Sequence, residues 1–159
     1  MLLKKFDSTV LFAYKKHEGQ FRQFNNEPYI NHCIRVAYNV GTQGGSDDQV
    51  RAALLHDVLE DTQCTYEELV DNFGDIVAEL VKELTDVYTP EAYPSMNRAE
   101  RKALEAKRMS TISKEARLIK VCDIMDNTDC VTRGIFQNPG FVMVYLKEKI
   151  VVLENLGFK

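Results

Sequence analysis

The sequence lacks several features, and each absence removes a class of protein. No apolar run approaches the roughly 20 residues that a membrane-spanning helix needs. The N-terminus, Met1-Leu2-Leu3-Lys4-Lys5-Phe6-Asp7, has no signal-peptide apolar core, which argues against secretion by that route. Basic residues are not in excess: 20 Lys and Arg stand against 24 Asp and Glu, for a formal net charge of -4. No global positive field would therefore draw in a long nucleic acid. The four cysteines, Cys33, Cys64, Cys122 and Cys130, form no C-x-x-C pair, so a zinc ribbon or a thioredoxin-like site has no support. Free thiols suit a reducing cytoplasm, and the plain expectation for them is small buried hydrophobes. No segment alternates like a β-strand over a convincing length, and no internal repeat or low-complexity tract is present.

What remains is enough apolar material for one core. Hydrophobic residues make up 45% of 159, which suits a single domain spanning 1–159. Helical spacing and breakers divide the chain. A helix is expected over 4–17, with Phe6, Val10, Leu11, Ala13 and Tyr14 as its apolar stripe. A polar, aromatic-dotted loop follows over 20–28, then a helix over 29–40 carrying His32, Ile34, Val36 and Ala37. Ser46-Asp47-Asp48-Gln49 is a capping box that opens a central helix over 47–61. Thr65-Tyr66-Glu67-Glu68 opens a short helix ending at Phe73-Gly74, and Asp75 is placed to cap a helix over 76–85. Residues 86–97 read as a mobile loop, a candidate lid. Helices are then expected over 98–109, 116–133 and, after Asn138-Pro139, over 139–156. The reading is an all-α orthogonal bundle of about seven or eight helices.

The run Ala53-Leu54-Leu55-His56-Asp57-Val58-Leu59-Glu60-Asp61-Thr62 concentrates the chemistry. On a continuous helix, His56 with Glu60 and Asp57 with Asp61 stand four residues apart on shared faces. Three acids packed so closely repel unless a cation sits among them, and a metal ion inverts that charge logic. Further ligands must come from elsewhere. Only three histidines exist, His17, His32 and His56, and His32 lies on the preceding helix. The helix over 116–133 offers Asp123, with Asn127 four residues on and Asp126 three residues on. Two histidines with two carboxylates suit manganese, ferrous iron or zinc. A lone His-Asp pair is common by chance, and acids on solvated faces usually have no role. Here the acids continue an apolar run that reads as buried, and that placement favours a functional site.

Taken in order, Tyr29-Ile30-Asn31-His32, Ala52 to Thr62, Phe73-Gly74, and Leu118-Ile119-Lys120-Val121-Cys122-Asp123 with Asn127 resemble the HD superfamily. More narrowly, they are similar to the hydrolase domain of the RelA/SpoT alarmone enzymes and to the stand-alone small alarmone hydrolases. Lys16 to Arg22 is similar to that family's N-terminal segment, and the resemblance covers about residues 9–132. It implies an HD-type bundle in which His32, His56, Asp57 and Asp123 bind a metal, typically manganese. It implies Glu60 and Asp61 as the acidic pair beside the metal, acting as general base or orienting water. It implies Asn127 near the substrate ribose and phosphate, and Arg22 against the purine.

The implied reaction removes the 3′-pyrophosphate of ppGpp or pppGpp, giving GDP or GTP and pyrophosphate. Lys120, Arg101, Lys102, Lys107 and Arg108 are candidates to neutralise the other diphosphate, against the plainer reading of a solvated helix face. With no room for a synthetase domain, a stand-alone cytoplasmic hydrolase is expected, with homo-oligomerisation left open. The sequence departs from the family at Ile124, Asp126 and Asp129, where basic or aromatic residues are usual, and at Cys33, where Pro is often found. These changes remove positive charge near the expected phosphate pocket. They leave open another phosphorylated nucleotide as substrate, or a non-catalytic nucleotide-binding module.

Overall fold

The computed structural model describes residues 2–133 and 137–158, with side chains from Ser8 onward. Among these residues it is all-helical. The helices are α1 (Leu2–Lys16), α2 (Ile30–Thr42), α3 (Asp47–Leu55), α4 (Val58–Asp61), α5 (Tyr66–Phe73), α6 (Asp75–Leu84), α7 (Arg98–Arg108), α8 (Lys114–Arg133) and α9 (Pro139–Asn155). A 3₁₀ turn, Met109–Thr111, follows α7. The one β feature among the described residues is an isolated bridge between Phe21 and Pro28.

The caps read from sequence are present. Ser46 and Gln49 form the reciprocal capping box of α3, and Thr65 accepts from the Glu68 amide at the start of α5. Asn138 accepts from Phe141 N–H with Pro139 as the first residue of α9. At the α5–α6 junction the expected cap moves by one residue. Gly74 is both the last cap of α5 and the first of α6, and Asp75 already lies inside the helix. The reason is backbone geometry: φ at residue 74 is 85°, a left-handed value that glycine reaches without a Cβ clash.

α3 is the hub. Ala52, Ala53, Leu54 and Leu55 are all buried, and α3 packs against α1, α2, α6 and α8. α2 lies against both α3 and α8 and contributes Val36 and Val40, each fully buried. Each such side chain contributes about 1.5–3 kcal/mol by leaving water. The turn from α2 into α3 is tight at Gly45, whose amide donates to Val40 O at 2.9 Å. A Cβ there would lie 2.5 Å from Val40 Cγ1 and 2.9 Å from Val40 O.

Some apolar residues fall outside the core. Leu11 and Tyr14 on α1 and Ile34 on α2 turn to solvent, while Thr9 and His17 take buried places on the inward side. Phe6 lies outside the described side chains. All four cysteines are free and buried, as expected of small hydrophobes. No helix is long and apolar enough to cross a membrane among the described residues.

The central helix expected over 47–61 is interrupted at His56 and Asp57. α3 stops at Leu55, α4 resumes at Val58, and Asp57 takes φ -101° and ψ -3°. His56 Nδ1 lies 2.8 Å from Ala53 O, the carbonyl that the Asp57 amide would take in an unbroken helix. The break therefore falls on the two residues that carry the site.

Candidate metal centre

α2 supplies His32, the α3–α4 break supplies His56 and Asp57, and α8 supplies Asp123. His32, His56 and Asp123 are 0%, 2% and 4% exposed. His32 Nε2 and His56 Nε2 face each other at 3.2 Å. Asp57 Oδ2 stands 2.9 Å from His56 Nε2 and 3.6 Å from His32 Nε2. Asp123 Oδ1 closes the group at 3.3 Å from His32 Nε2 and 3.6 Å from His56 Nε2. Donors each about 2.1 Å from an ion lie about 3.0 Å apart at right angles and about 3.4 Å apart at the tetrahedral angle. The observed spacings match a first-row divalent ion.

The tautomers agree with this. His32 Nδ1 lies 2.7 Å from Asp126 Oδ2, and His56 Nδ1 lies 2.8 Å from a carbonyl. Both partners only accept, so both Nδ1 atoms donate. Both Nε2 lone pairs then point at one another and at two carboxylates, an arrangement that a cation between them stabilises. His32, His56 and Asp57 have ligand atoms within 4.8 Å of one another and form a site for a divalent cation.

Without an ion, a proton takes its place. Burial opposes charge on His32, but the Asp123, Asp126 and Asp57 carboxylates outweigh it and hold its pKa up at about 9. Burial opposes charge on His56 as well, and Asp57 and Asp123 raise it regardless. At 3.2 Å only one of the facing Nε2 atoms can carry the proton. Burial works against ionised Asp57 and Asp123, yet His56 holds the first low and Lys120 the second.

Around this centre stands a ring of orienting groups, several of which sequence reasoning missed. Asp126, read from sequence both as a neighbour of Asp123 on the same helix and as a departure from the family's usual residue, is buried and bonds His32. Arg35 holds Asp126 from Nε at 2.6 Å and grips Glu27 with its other nitrogens. Tyr29 donates its hydroxyl to Asp57 Oδ2 at 2.8 Å and stacks on His17. His17 is 3% exposed; its Nδ1 meets Gln20 Oε1, and Gln20 Nε2 donates to Asp61 O. The i, i+3 spacing of His17 and Gln20 was a visible signal for that pair. Nothing in the sequence pairs Asp126 with Arg35, 91 residues away.

The other named residues are placed as follows. Glu60 and Asp61 lie on α4, one turn past Asp57, and both are exposed. Glu60 Oε2 accepts the Asp86 amide at 3.1 Å. Desolvation first, and the Asp86 carboxylate second, push the Glu60 carboxyl up to about 7. Asp61 is raised by desolvation and then by Asp57. Lys120 Nζ donates to Asp123 Oδ2 at 3.1 Å, and Asn127 Nδ2 bonds Asp123 Oδ1.

Arg22 meets this ring at Tyr29 and does not reach the metal-centre donors. It is 8% exposed and stands 5.7 Å from the Tyr29 ring centroid. Of the charged helix face, Arg108 is spent on Glu105 and the carbonyls of Glu83 and Thr85, and Arg101 on Met96 O. Lys107 is exposed, and Lys102 pairs with Asp86 at 2.8 Å. The root of the 86–97 loop is pinned rather than free: Val87 and Tyr88 N–H both donate to Glu105 Oε2.

A helical bundle that buries two facing imidazoles among carboxylates defines a class of metal-binding domain. Residues 9–132 match the HD domain family, and the chain belongs to it. The chain is 40% identical over 119 residues to the guanosine-3′,5′-bis(diphosphate) 3′-pyrophosphohydrolase MESH1 of Xenopus tropicalis, covering 73% of this chain and 63% of that protein. Against MESH1 of Drosophila melanogaster it is 37% identical over 126 residues, covering 77% and 67%. Its fold is similar to a solved structure described as a metazoan ortholog of SpoT that hydrolyses ppGpp. The TM-score is 0.80 at 31% identity, covering 96% of this chain and 85% of that one. The chain thus spans about two thirds of the length of these MESH1 relatives and about a tenth of the long SpoT-type enzymes it also matches.

Proposed function

We propose that this chain acts as a single HD-type hydrolase domain over 1–159 that removes the 3′-pyrophosphate of ppGpp or pppGpp with manganese. The observation that supports this most is the four-donor cluster of His32, His56, Asp57 and Asp123 with Glu60 and Asp61 one turn away. The MESH1 relatives carry the same activity in their names.

Of the four proposed ligands, the two histidines are held by Asp126 and Ala53 O, Asp57 by Tyr29, and Asp123 by Lys120 and Asn127. Bound there, manganese would polarise phosphoryl oxygens and acidify water. Glu60, with a carboxyl raised toward neutrality, is suited to take a proton from the attacking water. Asp61, fixed through its carbonyl by Gln20, is suited to orient that water. Asn127 and Lys120, both bonded to Asp123, are the residues we assign to a phosphate on that side of the cluster. Arg22, supporting Tyr29, is the residue we assign to the purine side. Buried free thiols fit a cytoplasmic setting.

The test is release of pyrophosphate from ppGpp by the manganese-loaded protein, with products identified by position of cleavage. Equal amounts of GDP and pyrophosphate are expected. Glu60→Gln should retain the metal and lose roughly 100-fold or more in turnover. Tight ppGpp binding with no turnover would overturn the enzyme reading. Preferred cleavage of a dNTP or a 3′-phosphorylated nucleotide would move the substrate within the same hydrolase class.

A further inference from the structure

The departures at Ile124, Asp126 and Asp129 remove the positive charge expected near the phosphates, and the structure shows where positive charge gathers instead. Lys102 on α7, Lys120 on α8 and Lys149 on α9 line one cleft together with Asp86, Glu105 and Glu148. Two of the three ammonium groups have their own acid: Lys102 pairs with Asp86, and Lys120 with Asp123. The acids beyond Asp86 are already engaged, Glu105 by Arg108 and Glu148 by Arg98. Lys149 is half-buried and has no acid within ion-pair distance among the described residues; its close neighbour is the Tyr145 ring, 5.1 Å from Nζ. Desolvation first and the nearby Lys120 second depress its pKa.

An ammonium partly withdrawn from water, beside Lys120 and Lys102 and attracted by Asp123 and Asp86 only from beyond ion-pair distance, gains from an anion that joins it. Two hydrogen bonds lead from the cleft's lining residues toward the candidate metal centre. Lys120 reaches Asp123, and the Asp86 amide holds Glu60. Once Asp123 serves a metal, Lys120 shares its partner, and the excess of positive charge in the cleft grows.

We propose that Lys149, with Lys120 and Lys102, forms an anion subsite that holds the phosphoryl oxygens of the substrate's phosphate chain beside the metal centre. This rests on the hydrolase reading given above and adds to it the element that carries the missing charge. The subsite is assembled from α7, α8 and α9, so α9 becomes part of substrate recognition. The cleft is small, about 30 Å³, so it takes the terminal phosphoryl oxygens of a diphosphate, met as part of the nucleotide or as free pyrophosphate product, and not the whole group.

Two measurements test it. The first needs no turnover: amine acetylation of the whole protein, followed residue by residue by mass spectrometry, with and without inorganic pyrophosphate. Pyrophosphate should protect Lys149 and leave the exposed Lys147, on the same helix, unchanged. Equal labelling of Lys149 in both samples would overturn the subsite. The second is kinetic. Lys149→Met should raise KM for ppGpp roughly 10- to 100-fold, the worth of one charge-assisted hydrogen bond, with kcat changed far less. Lys149→Arg should restore most of the loss, and Lys147→Met should change KM less than twofold. An unchanged KM in a folded Lys149→Met protein would also overturn it. Failure of ppGpp turnover in the wild-type protein would instead count against the hydrolase reading, while the labelling result would still decide the subsite.

Discussion

The inward and outward faces of α8 carry the same residue type in two different situations. Asp126 keeps 7% of its side-chain surface and bonds both His32 and Arg35. Asp129, three residues later, keeps 64% and pairs with Arg133 one turn on. Both read from sequence as lost basic or aromatic positions. The difference teaches that a carboxylate's meaning depends on what faces it across the fold. Buried Asp126 fixes an imidazole; exposed Asp129 is a surface ion pair, whose worth is about 0–1 kcal/mol. Asp123 shares the inward face, so α8 presents one acid to the metal centre and a second to the histidine that completes it.

Substitutions along α8 can break this contrast. The largest effect is expected at Asp123: Asp123→Ala should abolish metal retention and turnover together, measured by metal content after dialysis and by pyrophosphate release. Asp57→Ala should do the same from the other side of the cluster. Full metal stoichiometry in either variant would contradict the ligand assignment.

Next comes Asp126→Asn. It weakens the acceptor for His32 Nδ1–H without emptying the space, so metal affinity should fall about 10- to 100-fold, the usual worth of an outer partner of a metal-binding histidine. Titration of manganese into both proteins reads this directly. An unchanged affinity would reduce Asp126 to a structural role.

The protonation of the cluster gives a graded effect. In the metal-free protein, His32 is raised from 6.5 to about 9 by its carboxylates. A raised folded value favours the protonated folded state. The resulting stability is fully present below about pH 6.5 and lost as pH climbs through about 9. Metal-free protein should therefore melt lower as pH rises across that window. Because only one proton fits between the two Nε2 atoms, manganese binding at pH 7.5 should release about one proton per ion. Calorimetry in buffers of different ionisation enthalpy measures this, and no buffer dependence would sink the displacement argument.

The smallest effect belongs to the outward face. Asp129→Ala should shift stability by no more than about 0.5 kcal/mol in denaturant unfolding and leave metal affinity unchanged. A large effect there would erase the distinction between the two faces.

Much of the frame was legible because it is local. Capping boxes, the Gly74 stop and the apolar periodicity of α2, α3 and α6 are written in neighbouring residues. The all-helical class followed from them, and the family motifs placed His32, His56, Asp57 and Asp123 in one cluster. The break at His56 and Asp57 was not legible, because a helix-favouring run conceals an imidazole that competes for Ala53 O. The Asp126–Arg35–Glu27 chain was hidden for a different reason: its members are joined by the packing of α2 on α8, which sequence spacing does not encode. Lys149 was hidden for the same reason. It reads as one more charge on the last helix until α7, α8 and α9 bring three lysines to one cleft.

The central claim is that two imidazoles and two carboxylates from α2, the α3–α4 break and α8 form one metal centre. Anomalous X-ray scattering at the manganese edge, from crystals grown with manganese, tests it most directly. The account predicts one strong peak between His32 Nε2, His56 Nε2, Asp57 and Asp123, absent in Asp123→Ala crystals grown the same way. A peak bound instead by Glu60 and Asp86, or no peak at the imidazole pair, would contradict it.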